Sequence, residues 1–307
     1  MKHYSVLKKE IIESLNIKSD GVYVDATLGY AGMSKEILAH LDKGFLYAFD
    51  QDQEAIEYST KELSKISNNY KIIKSNFVNL KDELSKLNIN TVDGIIFDLG
   101  FSSPQIDDES RGFSFMSDAP LDMRMDKDSS LTAAIIVNEY SESELSKHFF
   151  MYGEEKLSKV IAKKICESRK NKKIESTLEL VEVIKSAVGA NYFYKTHPER
   201  KIFQAIRIMV NDELSVLESV LPDAIDILNK GGRLSVITFH SLEDRIVKNI
   251  FKRFSEVEDI VKGLPEIPDE YKPTIKIINK KPITPSDKEL EENTRSHSAK
   301  LRIVERL

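Results

Sequence analysis

The chain has 307 residues, of which 41% are hydrophobic, and a formal net charge of −5, as expected of a globular protein with one large or two modest domains. No run of eighteen apolar residues occurs, and the opening MKHYSVLKKE has no apolar core, so we expect no membrane span, no secretory leader and a cytoplasmic location. The single cysteine, Cys166, excludes internal disulfides and cysteine-cluster metal sites and is expected to be a small buried side chain.

The first hundred residues alternate short apolar runs with amphipathic stretches, the pattern of parallel βαβ units. The predicted strands are 21–26, 45–49, 70–74 and 94–97. The predicted helices between them are 34–40, 53–66 and 79–87. This order implies right-handed crossovers and a sheet that is covered by helices on both faces.

The alternation stops after Gly100, and the next clear strand is 234–239, preceded by a helix-period run over 203–221. The residues between are far too many for a loop of a compact α/β unit, which usually has about two to six. We therefore predict an inserted helical subdomain at 106–200, within a sheet domain made of 1–105 and 201–307. The helices predicted in the insertion are 142–150, 157–168 and 177–188.

The last part of the chain predicts a helix at 242–254 and two strands at 274–279 and 299–304. Because no helical crossover separates these two strands, they are able to pair antiparallel. The sequence thus predicts an α/β fold with a mostly parallel sheet and a helical insertion.

Ligands of open parallel sheets bind beyond the carboxyl ends of the strands. The first strand is followed by a turn of small residues that contains Asp25, Gly29 and Gly32, and the second strand ends at Asp50. Asp50 comes 21 residues after Gly29, a spacing at which a carboxylate accepts hydrogen bonds from ribose hydroxyls. This combination predicts a cofactor that contains a nucleoside.

The glycine pattern disfavours a dinucleotide, which usually has three glycines where this chain has only Gly29 and Gly32. Asp25, just ahead of the turn, opposes a pyrophosphate but suits the ammonium and sulfonium of S-adenosylmethionine. After the third strand comes Phe77, which either lies against an adenine or packs in the core.

The stretch DGIIFDLGFSSPQ, 93–105, ends an apolar strand on the carboxylate of Asp98. Asp98 could hold the cation or the adenine amine of the cofactor, or the nitrogen that accepts a methyl group. The alternative is a cap of the following turn.

Blocks of recognisable sequence run nearly from end to end of the chain. They are DATLG (25–29), DGIIFDLGFSSPQ (93–105), RGFSF (111–115), PLDMRMD (120–126), YGEE (152–155), FQAIRIMVNDEL (203–214), GGRLSVITFHSLEDRIVK (231–248) and SAKLRIVER (298–306). In these blocks the chain resembles the RsmH family, also called MraW, bacterial S-adenosylmethionine-dependent methyltransferases that modify the N4 amine of a cytosine in small-subunit ribosomal RNA. The resemblance implies a class I methyltransferase fold with a seven-stranded sheet, no metal, and 16S ribosomal RNA or the small ribosomal subunit as partner.

The resemblance also implies the cofactor-binding residues. They are Ala31, Gly32, Met33, Asp50, Phe77, Asp98 and Gln105. The family usually has two glycines and a histidine at positions 31–33, so here only backbone contacts are expected at Met33. Further departures fall on Ser5, where the family has proline, and on Thr294 and His297, where it has proline and arginine.

Methyl transfer from a sulfonium is an in-line displacement, in which alignment of donor and acceptor dominates. A cytosine N4 amine is a poor nucleophile, and a nearby acceptor could polarise it or take its proton. The candidates for this role are Asp98, Ser102, Ser103 and His240. For His240, which follows a buried strand, a structural role is the alternative. The N/D-P-P-Y signature of other amino-group methyltransferases is absent, and 102–105 stands in its place.

The net charge of the chain does not favour a polyanionic partner, so a prediction of RNA binding must depend on local groups of residues. We expect such RNA contacts in and near the insertion. One candidate is the stretch 156–173, which has eight basic residues and one acidic residue; a second basic stretch is 294–302. The other candidates are Arg111, Phe113 and Phe115 for stacking, Asp122, Arg124 and Asp126 as contacts or internal ion pairs, and His197, Arg200, Lys201 and Arg207 for phosphates. Solvent-facing charge and core packing are the alternatives.

Two competing functions remain open at this stage. One is a catalytically silent RNA-binding factor for ribosome assembly, and the other is a nicotinamide-dependent oxidoreductase, which the glycine pattern disfavours. The sequence also leaves open whether the chain forms a homodimer.

Overall fold

A computed structural model describes residues 6–101, 103–257, 259–261, 266–293 and 296–307. The chain divides into two compact units, which we call the sheet unit (1–100 with 214–307) and the helical unit (101–213). The helical unit is thus wider than the insertion of 106–200 that the sequence predicts.

The strands occur at or near the predicted positions. They are β1 (Val22–Asp25), β2 (Phe45–Asp50), β3 (Tyr70–Lys74), β4 (Val92–Asp98), β5 (Leu228–Thr238), β6 (Ile275–Ile277) and β7 (Lys300–Arg306). They form one seven-stranded sheet in the order β3-β2-β1-β4-β5-β7-β6. All neighbours are parallel except β7, which is antiparallel to β5 and to β6; only the pairing of β7 with β6 was predicted. This topology confirms the class I methyltransferase fold.

The helices of both units complete the fold. In the sheet unit they are α1 (Lys8–Leu15), α2 (Gly32–Ala39), α3 (Gln53–Leu63), α4 (Leu80–Lys86), α12 (Glu213–Asp226), α13 (Ser241–Ser255) and α14 (Asp287–Glu292). In the helical unit they are α5 (Ser103–Asp107), α6 (Ala133–Glu139), α7 (Glu142–Met151), α8 (Ser158–Asn171), α9 (Thr177–Val188), α10 (Ala190–Thr196) and α11 (Pro198–Asn211). Among the described residues, no helix is both long and apolar enough to cross a membrane.

The run Ile95-Ile96-Phe97 of β4 is apolar throughout because both faces of the sheet are covered. Successive side chains of a strand point to opposite faces, and Ile95 and Phe97 join one buried cluster while Ile96 joins another. The strand order reverses between β1 and β4, which pair in parallel with Asp25 opposite Ile96. The carboxyl ends of these two strands therefore mark the switch point at which ligands of such sheets bind.

The helical unit has an apolar core of its own, to which Leu145, Phe149 and Leu180 contribute. Capping boxes begin two of its helices, Ser141 with Glu144 at α7 and Ser176 with Glu179 at α9. In each box the serine and the glutamate satisfy backbone N–H groups of the first helical turn, which explains why both starts agree with the prediction.

One predicted element is wrong. The helix-period run 203–221 is not a single helix, because α11 ends at Asn211, α12 begins at Glu213, and Asp212 between them has a left-handed backbone (φ 49°). Aspartate tolerates this conformation better than most residues. Cys166, expected to be buried, is a free and half-buried cysteine.

Candidate active site

A tight turn connects β1 to α2. The N–H of Ala31 donates to the carbonyl of Leu28 (2.9 Å), and both Gly29 (φ 47°) and Ala31 (φ 60°) have left-handed backbones. Glycine adopts this conformation freely, whereas for alanine it costs about 1 kcal/mol. Ala31 and Met33 are buried, so at these positions the chain offers a cofactor its backbone and no polar side chain.

Asp25, at the end of β1, is buried and holds this turn to the helix. Its Oδ1 accepts from the N–H of Thr27 (3.1 Å), and its Oδ2 accepts from the hydroxyl of Ser34 (2.6 Å). Burial raises the pKa of Asp25 to about 6, although both hydrogen bonds oppose the rise. A nearby positive charge would stabilise the ionised form of a carboxyl whose pKa is raised in this way.

Asp50, at the end of β2, joins two strand ends. Its Oδ2 accepts from the N–H of Gly29 (2.8 Å), and its Oδ1 accepts from the N–H of Asp52 (2.8 Å), the residue that caps α3. Each carboxylate oxygen has a second lone pair, so ribose hydroxyls can still donate to Asp50. Burial raises its pKa to about 6.

Asp98, at the end of β4, has a buried oxygen that lacks a hydrogen-bond partner. Its own N–H donates to the Thr27 hydroxyl (2.7 Å), whereas its Oδ1 is inaccessible to solvent and unpartnered within the described chain. Burial, followed by repulsion from Asp25 and Glu243, raises the pKa of Asp98 to about 7. An unpartnered acceptor of this kind is unfavourable unless a ligand satisfies it.

Phe77 follows β3 and is half-buried. Its ring meets Phe97 of β4 edge-on, with 5.4 Å between the ring centres, and packs against the core of the sheet unit. The contact supports the core-packing interpretation, and the exposed part of the ring stays available to a planar ligand.

Gln105 is buried on α5 of the helical unit. Ser103 is the first residue of α5, and Ser102 lies outside the described residues. These assignments leave Asp98 and His240 as the acceptor candidates whose side chains the structure describes.

His240 caps α13 and is engaged with Glu243. The N–H of Glu243 points to His240 Nδ1 at 3.5 Å, and the carboxylate accepts from the backbone N–H groups of Phe239 (2.8 Å) and His240 (3.3 Å). His240 Nε2 lies 3.2 Å from Glu243 Oε1, without hydrogen-bond geometry. Both ring nitrogens therefore face Glu243, which supports the structural role for His240.

Asp122 and Arg124 form an internal ion pair of the helical unit. The guanidinium of Arg124 donates twice to the Asp122 carboxylate, at 2.8 and 2.7 Å. Arg111 is buried and donates to the carbonyls of Arg124 and Met125, which fixes the same segment. Of the two interpretations of Asp122 and Arg124, the structure favours the ion pair.

The aromatic side chains near the start of the helical unit stack with arginines. The rings of Phe101 and Phe113 are 5.7 Å apart and nearly parallel, and the Arg207 guanidinium lies 4.6 Å from the Phe101 ring. Phe115 packs edge-on against Phe203. Phe113 and Phe115 thus contribute to the packing of this unit.

Most cations that the sequence suggests for phosphates already face carboxylates. The pairs are His197 with Glu199, Lys201 with Glu155, and Arg207 with Glu213, at 3.0, 3.2 and 2.8 Å. Arg200 is exposed, with its guanidinium 5.9 Å from the Phe115 ring. In the second basic stretch, Lys300 and Arg302 pair with Asp244.

Exposed lysines remain along α8 and its flanks. They are Lys156, Lys159, Lys163, Lys170, Lys172 and Lys173. Lys163 pairs with Glu167 and Lys172 with Glu179, which leaves an excess of positive charge on this part of the helical unit.

Sequence reasoning missed two residues of the site, Thr27 and Glu243. Thr27 accepts from Asp98, and Glu243 both caps α13 and repels Asp98. A signal for Glu243 was present, because His240 and Glu243 have the three-residue spacing of a capping box.

Asp25, Asp50 and Asp98 stand at the carboxyl ends of three neighbouring strands, and burial raises the pKa of each. This set of carboxylates fits a nucleoside ligand that has a positive charge. S-adenosylmethionine is such a ligand, because it has a ribose, an ammonium and a sulfonium. Bound there, it supplies an electrophilic methyl group. Fold and site together define a class I S-adenosylmethionine-dependent methyltransferase.

Comparison with known proteins gives the family. The model of the MraW methylase family matches residues 1–307, and the chain therefore belongs to that family, as the resemblance predicts. Ribosomal RNA small subunit methyltransferase H of Exiguobacterium sibiricum is 53% identical over 307 residues, which are 100% of this chain and 98% of that protein.

Solved structures were also matched. An rRNA methylase from Streptococcus thermophilus is 13% identical with a TM-score of 0.43, over 98% of this chain and 93% of that chain. A SAM-dependent O-methyltransferase from Thermotoga maritima is 10% identical with a TM-score of 0.41, over 98% of this chain and 64% of that chain.

Proposed function

We propose that this methyltransferase transfers the methyl group of S-adenosylmethionine to the N4 amine of a cytosine in 16S ribosomal RNA, in the cytoplasm. The support for the RNA substrate is the family membership together with the name of the 53% identical relative. The observation that carries the chemistry is the buried, unpartnered oxygen of Asp98 at the switch point of the sheet.

The cofactor-binding roles are proposals for individual residues. Asp50 accepts from the ribose hydroxyls, Asp98 faces positive charge, and the exposed part of the Phe77 ring lies near the adenine. The turn Ala31, Gly32 and Met33 contributes backbone groups, and Gln105 completes the set. The geometry that supports these roles is the position of Asp50, Phe77 and Asp98 at the ends of β2, β3 and β4.

Asp98 is also the best-supported proton acceptor. Methyl transfer forms an N–C bond at the amine while the methyl–sulfur bond of the donor breaks and leaves a neutral thioether, and one N–H proton must then leave. In the site without ligand the pKa of Asp98 is raised to about 7, and its Oδ1 has no hydrogen-bond partner within the described chain, so this carboxylate is able to accept a proton. His240 is less suited, because both of its ring nitrogens face Glu243.

RNA recognition is proposed for the helical unit. A base in folded RNA must be single-stranded or turned out before an enzyme can reach its amine. The exposed lysines of 156–173 support phosphate contacts, since such contacts supply most of the affinity for nucleic acid. The substrate is either free RNA or the assembled small subunit.

The function is tested by nucleoside analysis of small-subunit RNA from a strain that lacks the protein. We expect N4-methylated cytidine to disappear and to return when the intact gene is restored. An unchanged nucleoside profile would contradict the proposal. The silent assembly factor predicts that the protein neither binds labelled S-adenosylmethionine nor transfers its label to small-subunit RNA.

A further inference from the structure

The start of α13 lies against the end of β4. Asp98 is opposite Ile237 of β5, and the N–H of Leu99 donates to the carbonyl of Ile237 (3.1 Å). A Cβ on Gly100 would lie 3.4 Å from the Phe239 ring. The turn after β5, which leads into α13, is therefore packed beside the turn after β4.

Glu243 has a buried carboxylate at this junction; only 2% of the residue is exposed. Its Oε2 accepts from the N–H groups of Phe239 and His240, and its Oε1 faces the ring of His240. In the capping boxes of α7 and α9 the glutamates are more exposed than Glu243. A buried charge is much less favourable than a buried amide, and capping boxes accept glutamine as well as glutamate. The cap alone therefore does not require a charge at this position.

We propose that Glu243 is a positioning residue of the cofactor site, which fixes the Phe239–His240 turn and supplies a negative charge that faces Asp98. The inference rests on the cofactor site proposed above. Within the described part of the chain, ionised Asp98 is repelled by Asp25 on β1 and by Glu243 on α13.

The charge of Glu243 has a consequence for ligand binding. Together with burial and Asp25, it raises the pKa of Asp98 to about 7. A cationic ligand favours ionised Asp98, so binding must remove the proton when the pH is below this value. Affinity for the cation therefore falls as the pH falls, and Glu243 moves that loss to a higher pH.

The test compares the wild type with Glu243→Gln, which keeps an acceptor for both backbone N–H groups and loses the charge. S-adenosylmethionine affinity is measured by calorimetry at pH 8 and pH 6. For the wild type we expect a loss of roughly tenfold or more, since pH 6 is about one unit below the pKa of Asp98. For Glu243→Gln we expect a smaller loss, of about fourfold or less, as for a pKa of Asp98 that is lower by about half a unit. Asp25, Asp50 and the ligand titrate alike in both proteins.

Glu144→Gln is the matched control, because Glu144 occupies the same position of the capping box of α7. Its pH dependence should equal that of the wild type. Equal pH dependence in Glu243→Gln and the wild type, with both proteins binding, would overturn the role of Glu243. A wild type that fails to bind S-adenosylmethionine would instead overturn the proposed cofactor site, and the inference with it.

Discussion

Carboxylates that are wholly or partly buried have different surroundings at the strand ends of the sheet unit and in the helical unit. Asp25, Asp50 and Asp98 have raised pKa values, and no ion pair involves them within the described chain. In the helical unit, burial would raise the pKa of Glu155, but hydrogen bonds from Leu157, Tyr192 and Lys201 keep it below its ordinary value. The charge of Glu155 is thus balanced by Lys201 of the same unit, whereas the carboxylates at the strand ends have no such partner and would be balanced by a cationic ligand.

This difference in partners distinguishes carboxylates that bind a ligand from carboxylates that stabilise the fold. A buried charge that has its partners contributes to the folded state, while one that lacks them is unfavourable until a ligand arrives. The same reasoning applies to Asp122, where burial is outweighed by hydrogen bonds from Arg124 and the pKa is lowered. Glu155 and Asp122 therefore belong to the framework of the helical unit.

Among the substitutions that test this difference, Asp98→Asn should have the largest effect. We expect S-adenosylmethionine affinity to fall roughly 100-fold, because the ligand cation loses its buried counter-charge. The unliganded variant should be more stable than the wild type by about 2 kcal/mol at pH 8. The sign follows from the raised pKa: the folded state binds the proton more tightly than the unfolded state, so wild-type stability is lost as the pH rises toward about 7.

Urea unfolding at pH 8 and pH 5, together with calorimetric binding, measures both effects. The stability difference between Asp98→Asn and the wild type should shrink at pH 5, where the wild-type carboxyl is protonated. Asp42→Asn, which alters an exposed carboxylate of the same unit, is the control. A variant that is less stable than the wild type at pH 8 would show that Asp98 has a structural role.

Lys201→Met tests whether the ion pair of Lys201 with Glu155 stabilises the helical unit. It leaves the fully buried Glu155 without its cation and should lower the free energy of unfolding by about 2 kcal/mol. The contribution of Glu155 is present above its unfolded pKa and is lost as the pH falls through its lowered value. Thermal unfolding checks the loss, with Lys147→Met at an exposed position of α7 as control. Unchanged S-adenosylmethionine affinity is part of the expectation, and a large loss of affinity would refute the division of roles.

The exposed lysines of α8 give a smaller, salt-dependent effect. Replacing Lys159, Lys163 and Lys170 by glutamine should weaken RNA binding roughly tenfold near physiological salt and lower the salt slope by up to about 0.7 for each phosphate that these lysines neutralise. Cofactor affinity should stay the same. A matched triple of exposed lysines in the sheet unit, Lys9, Lys61 and Lys71, is the control. Equal salt slopes for the two triples would remove the support for this surface.

The fold was largely predictable because apolar period and strand-end chemistry are local signals. The strand 70–74 and the helix 177–188 coincide with β3 and α9, and the positions of Asp50 and Asp98 at the ends of strands were predicted. The start of β5 was missed, because Gly231 and Gly232 resemble a turn although they lie within the strand. The break at Asp212 was missed because the apolar period continues across it.

The site residues that escaped prediction depend on tertiary contacts. Thr27 meets the backbone of Asp98 only through the pairing of β1 with β4. Glu243 and Asp98 are far apart in sequence, and the charge of Glu243 acts on Asp98 only because α13 begins beside the end of β4. The pairing of Lys201 with Glu155 likewise follows from helix packing, so its lysine resembled a phosphate ligand in the sequence.

Proton release on cofactor binding tests the central claim most directly. Calorimetric titration of the protein with S-adenosylmethionine at pH 6.5, in two buffers of different ionisation enthalpy, counts the protons that binding displaces. Because the pKa of Asp98 is about 7, a large part of the protein is protonated there, and we expect a net release that is clearly smaller in Asp98→Asn. Binding without proton release, or a release that is undiminished in Asp98→Asn, would contradict the account.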